Sequence, residues 1–139
     1  MAYETTSVPI AQSQEAIRKL VMSNGGSGVA FICQPPVEGF EVLLPIDGKT
    51  YRVRLAATVK TLRSADAQAQ EVRRVWRVLF YHMKALYEAS RSGVLEFREM
   101  ILPYVVAADG RTIAQHILPK LEQAVGGNVA RLLPAGKDE

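Results

Sequence analysis

The chain has 139 residues, 48% of them hydrophobic and 22% charged, with a formal net charge of +3. This length suits one ordinary hydrophobic core, and the balance excludes wholesale disorder and fibrous classes. No apolar run approaches the ~18 residues of a membrane span, the N-terminus has no basic start followed by an apolar stretch, and a single cysteine, Cys33, excludes an internal disulfide. The expectation is an intracellular protein, with Cys33 as a small buried hydrophobe.

Residues 2–9 are rich in Thr, Tyr and Val and end at Pro9, which suits a short edge strand. Ser13 is positioned to cap a helix over 12–24, with Ile17, Leu20 and Val21 at helical spacing and Asn24-Gly25-Gly26 as its stop. Residues 28–34 are apolar on both faces, as in a central strand or one at an interface. Residues 38–46 alternate Phe40, Val42, Leu44 and Ile46 with Glu41, Leu43 and Pro45, a half-buried strand. Asp47-Gly48 then predicts a tight hairpin into a strand over 49–56, because a type I′ turn needs positive φ at both positions. On that strand Tyr51, Val53 and Leu55 face the core, and Thr50, Arg52 and Arg54 face away.

Residues 57–64 read as a mobile polar connection carrying Lys60 and Arg63. A long helix over 65–92 follows, with Val72, Val75, Trp76, Leu79, Phe80, Met83, Leu86 and Tyr87 as a sustained apolar stripe. Two helices, over 95–106 and 112–125, complete the pattern. Pro103 and Pro119 should bend or end them, and Thr112 with Gln115 matches a capping box. Residues 128–139 form a tail. The fold class is therefore α+β: a single domain over 1–127, with a three-stranded antiparallel sheet, or four-stranded if the N-terminal strand joins it. The sheet packs on the long helix, with two further C-terminal helices.

Several chemistries find no support. Asn24-Gly25-Gly26-Ser27-Gly28 follows a helix and opens a strand, the reverse of a phosphate loop. His82 and His116 lie in no metal-ligand spacing, and no nucleophile motif of the Gly-x-Ser-x-Gly type occurs. Glu88, Glu96, Glu99 and Asp109 read as solvated carboxylates, and Trp76 and Tyr87 as core. The expectation is a non-enzymatic protein with no catalytic residues, no metal and no cofactor.

Charge distribution is the positive signal. Residues 49–91 hold ten Lys/Arg against three acids, an excess of +7 that leaves −4 on the rest of the chain. Seven of the ten are arginine, which favours planar bidentate contact with phosphate and equally suits protein carboxylates. The candidate nucleic-acid contacts are Arg52, Arg54, Lys60, Arg63, Arg73, Arg74, Arg77, Tyr81 and Lys84, with Tyr81 placed either to stack on a base or to cover an arginine stem. Simple solubility of an exposed helix face is the plain alternative.

An order of helix, three strands and helix resembles double-stranded-RNA-binding domains. Their lysine cluster at the second helix is replaced here by residues 65–70 (ADAQAQ), so their function is not carried over. A three-stranded sheet backed by a long helix also resembles the core of single-strand annealing proteins, an analogy of fold alone. VPIAQSQEAIRKL at 8–20, WRVLFYHMKALYEASRSGVLEF at 76–97, LPYVVAADGRTIAQHILPKLEQA at 102–124 and LLP at 132–134 resemble a family of small uncharacterised bacteriophage and prophage proteins. That resemblance implies a phage context, and with it the cytoplasm of a bacterial host, and supplies no functional residues. The leading expectation is single-stranded DNA binding or annealing in phage DNA replication or recombination. The alternative is a protein interaction module, either a homo-oligomeric structural component or an inhibitor of a host protein.

Overall fold

The computed structural model describes residues 6–126. Helix α1 (Ile10–Ser23) leads into strands β1 (Gly28–Gln34), β2 (Val37–Ile46) and β3 (Lys49–Thr58), which form an antiparallel sheet in the order β1-β2-β3. The long helix α2 (Ala65–Arg91) follows, then α3 (Phe97–Ile101), a 3-10 turn over Leu102–Tyr104, and α4 (Ile113–Ile117). A second 3-10 turn over Leu118–Lys120 and α5 (Leu121–Val125) come last.

The hairpin forms as its sequence requires. Asp47 and Gly48 take φ of 51° and 82°, so Ile46 pairs with Lys49 and the register runs unbroken to Val37 opposite Thr58. Alternation then turns Phe40, Val42 and Leu44 of β2 and Val53 and Leu55 of β3 to one face, where they are buried with Ile17 and Val21 of α1 and with Val75, Trp76, Leu79, Met83 and Tyr87 of α2. Both helices thus cover one face of the sheet. Inside this core the indole Nε1–H of Trp76 donates to Glu38 Oε1 at 2.9 Å, which pairs two polar groups that burial would otherwise penalise. At Gly39 the two strands approach so closely that an added Cβ would lie 2.3 Å from the Leu55 carbonyl oxygen, so only glycine fits there.

Several expectations change. Helix α1 starts at Ile10 with Pro9 as its N-cap, the Pro9 carbonyl accepting from Gln12 and Ser13 N–H. Ser13 is no cap: it is fully buried inside the helix, facing α2. Residues 6–9 are not a strand, and the Thr6 carbonyl accepts instead from Gln70 Nε2 at 2.8 Å; residues 2–5 and the tail at 128–139 lie outside the described residues. Among the described residues the sheet has three strands. Beside β3, the fourth place holds only an isolated bridge between Val53 and Val105, with Val106 N–H donating to the Arg52 carbonyl at 2.8 Å.

Strand β1 is an edge strand, and Cys33 is accordingly exposed, its Sγ accepting from Gln14 Nε2 at 3.5 Å. The connection after β3 is anchored. Val59 is buried and donates its N–H to the Pro36 carbonyl, and the Gln68 side chain bonds the backbone of both Lys60 and Leu62. Both C-terminal helices are shorter than their patterns suggested, because Pro103 and Pro119 each tighten the chain into a 3-10 turn. Residues 105–106 are extended. The Thr112/Gln115 capping box forms with both reciprocal bonds.

Candidate nucleic-acid interface

Helix geometry sorts the basic residues of α2. At about 100° per residue, Arg73, Arg77, Lys84 and Arg91 fall within about 40° of one another and extend over about 27 Å of helix. This flank is the one turned toward α1: Arg77 Nη1 donates to Ser13 Oγ at 3.3 Å, and Arg91 Nη1 to Asn24 Oδ1 at 3.4 Å. Contact with α1 thus holds the guanidinium ends of Arg77 and Arg91; Arg73, Arg77 and Lys84 are half-buried along the ridge, and Arg91 is exposed.

Aromatic rings hold two of these cations. The Arg77 guanidinium lies over the rings of Phe80 and Tyr81, 5.1 and 5.0 Å from their centroids, and Lys84 Nζ lies 5.6 Å from the Tyr81 centroid. Such contacts contribute about 0.5–1 kcal/mol each at exposed sites and do not neutralise the charge they hold. Of the two roles open to Tyr81, it fills that of covering basic side chains. Arg73 Nη2 donates to Gln70 Oε1 at 2.8 Å, and its buried Nε has no partner among the described residues. Among the described residues no carboxylate pairs with Arg73 or Arg77, whereas Lys84 reaches Glu88 at 4.0 Å.

The remaining candidates lie elsewhere. Arg74 sits on the outer surface of α2 and makes a bidentate pair with Glu71, both bonds 2.9 Å long. Those bonds hold the Glu71 carboxyl below the usual carboxylate range, against the opposing effect of burial, and the charges of Arg74 and Lys60 add to the lowering. Lys60 is exposed on the connection after β3. Arg63 is exposed on the connection.

Arg52 and Arg54 stand on the sheet face opposite the helices. Glu41 lies between them, its carboxylate 3.5 Å from Arg52 Nε and 2.6 Å from Arg54 Nε. Arg54 Nη1 also donates to the Gly110 carbonyl at 3.0 Å, which ties the segment before α4 to the sheet. The hairpin arginines and the helix ridge therefore occupy opposite sides of the molecule. No single groove joins them, because the strand alternation that buries Val53 and Leu55 under α2 turns Arg52 and Arg54 the other way.

Sequence reasoning missed Glu41 as a shared partner, although the hairpin register places it directly opposite Arg54. Arg91 belongs to the ridge and was not among the candidates. The two histidines have local partners: His82 Nε2 lies 3.1 Å from the Tyr104 hydroxyl, and His116 Nε2 lies 3.0 Å from Asp109 Oδ2. The Arg111 backbone N–H, with His116 second, lowers the Asp109 carboxyl below its ordinary value. Among the described residues no group of His, Cys, Asp and Glu could hold a metal ion, and no helix is long and apolar enough to cross a membrane. Comparison of the chain with protein-family models, curated proteins and solved structures finds no match.

Proposed function

We propose that this chain is a non-enzymatic binding protein for single-stranded nucleic acid, contacting phosphates through Arg73, Arg77, Lys84 and Arg91 on the α1-facing flank of α2. Phage DNA replication or recombination is the setting suggested by the resemblance of its sequence to phage proteins. The observation that carries the reading is that Arg77 is positioned by aromatic rings and a serine hydroxyl, with no carboxylate on it among the described residues. Its charge stays available to a polyanion, unlike that of Arg54 or Arg74. Lys60 and Arg63 add positive potential near the start of the helix, and Arg52 and Arg54 drop out of the contact set.

Fluorescence anisotropy with a labelled single strand across a salt series tests this. Removing one phosphate-binding side chain should flatten the dependence of log affinity on log salt by ~0.7, so replacing Arg73 and Arg77 together by Gln should flatten it by about 1.4. Binding that is insensitive to salt, or a double variant that binds as the unmodified chain does, would sink the proposal.

A second reading, a protein interaction module, draws on the exposed apolar residues Ile117, Leu118, Leu121 and Val125 of the C-terminal helices. Absorbance of freshly purified protein at 260 and 280 nm separates the two. Co-purifying nucleic acid favours the first, and a clean protein that captures a stoichiometric protein partner favours the second.

A further inference from the structure

The two edges of the sheet differ. Along β3, the outer side is partly taken up by the Val53–Val105 bridge and by the Val106 N–H bond to Arg52. Among the described residues strand β1 has only β2 beside it. Natural edge strands resist pairing with other chains through charges, prolines or bulges within the strand. The seven residues of β1, Gly28–Gln34, carry none of these: no residue is charged, none is proline, and the pairing with β2 is unbroken from Gly28 to Gln34. Apart from Gln34 at its end, its side chains are apolar on both faces, with Val29 and Phe31 toward the helices, Ala30 and Ile32 on the open face, and Ala30 exposed.

We infer that β1 pairs with β1 of a second copy of this chain, antiparallel about a two-fold axis through Phe31, to give a six-stranded sheet. A second copy is the occupant because antiparallel pairing of one strand with itself is self-complementary, and full overlap sets Ala30 opposite the partner's Ile32 and Val29 opposite the partner's Cys33. No like charges meet across that ladder.

Two seven-residue strands cover less than the ~800 Å² per partner typical of a stable interface, so helix α1 must contribute. It lies directly over β1, with Arg18 placed 5.3 Å above the Phe31 ring and Gln14 bonded to Cys33. Arg18 and Glu15, one turn apart and about half exposed, present opposite charges beside the axis. Two-fold rotation brings Arg18 toward the partner's Glu15. The axis is perpendicular to the sheet, so both helix layers fall on the same side. The basic flank of each α2, turned toward α1, then faces the axis. The pairing itself is independent of nucleic-acid binding.

Sedimentation in nucleic-acid-free buffer should give twice the 15.3 kDa chain mass, and Ala30→Lys and Ile32→Lys should each return it to the single-chain value. Ala30 is exposed, so Ala30→Lys keeps the test valid if Ile32→Lys does not fold. Under mild oxidation Val29→Cys should form a disulfide-linked dimer with the partner's Cys33, while Thr50→Cys, on the hairpin away from β1, should not. A single-chain mass for the unmodified protein at micromolar concentration overturns the inference. So does a dimer that persists in both lysine variants, or a Val29→Cys protein that stays unlinked.

Discussion

Replacing Arg54 by Ala separates a structural arginine from a binding one. Its side chain is about one-fifth exposed, and its guanidinium makes two bonds, to Glu41 at 2.6 Å and to the Gly110 carbonyl at 3.0 Å. Hydrogen bonds to charged groups contribute about 1.5–3 kcal/mol each, and partial exposure with the residual Arg52–Glu41 contact lowers the sum to about 2–3 kcal/mol. For a chain of this size that corresponds to a fall of roughly 6–12 °C in Tm. Circular dichroism on heating measures the loss, and a truncated side chain should also loosen the segment around Gly110, which hydrogen exchange reads directly. Affinity for a labelled single strand, measured well below the transition, should stay within about two-fold, a change worth ~0.4 kcal/mol. An unchanged Tm combined with a large loss of binding would refute the reasoning, because it would return Arg54 to the contact surface.

Other outcomes follow from the core. Gly39→Ala drives a Cβ into the β3 backbone at 2.3–2.5 Å and should cost at least ~3 kcal/mol, the upper range for overpacking, in urea unfolding. Glu38→Gln keeps an acceptor for the Trp76 indole and should cost at most ~1 kcal/mol, whereas Glu38→Leu leaves a buried N–H unpaired and should cost about 1–3 kcal/mol. Emission of Trp76, the only tryptophan, follows both transitions; equal costs for the two variants would discount the hydrogen bond. Burial pushes the Tyr87 hydroxyl from 10.0 up to about 12, and its buried oxygen has no partner among the described residues. The folded state therefore holds its proton more tightly than the unfolded chain does. The associated stability is complete below pH 10.0 and is lost as pH rises toward about 12. Tyr87→Phe should remove that alkaline loss, and at neutral pH its Tm should match or exceed that of the unmodified chain, since stacking on Phe97 at 5.2 Å is preserved.

Much of the architecture was legible because its signals are local. Two consecutive positive-φ residues at Asp47-Gly48 determined the hairpin and with it the register of ten residue pairs. The apolar stripe from Val72 to Tyr87 identified α2, and Thr112 with Gln115 marked the start of α4, since a capping box is a contact between near neighbours. The prolines at 103 and 119 announced breaks, and each lies in a 3-10 turn; that residues 105–106 then run extended beside β3 was set by a contact distant in sequence. Ser13 misled for a related reason. Its chemistry suits a cap, yet a small side chain also permits close approach of two helices, and only the packing of α1 on α2 selected between these uses.

The sequence by itself determined the α+β class, the strand order along the chain, the hairpin and the local excess of positive charge. Tertiary structure alone decided how that charge is divided. The alternation that puts Val53 and Leu55 under α2 sends Arg52 and Arg54 to the far face, where Glu41 and the Gly110 carbonyl occupy them. Arg73, Arg77, Lys84 and Arg91 remain together on the flank of α2 beside α1. Likewise, an apolar β1 is equally consistent with a sheet centre and a sheet edge. Pairing between distant segments placed it at the edge, because the next strand folded back along one side of it and nothing among the described residues folded along the other.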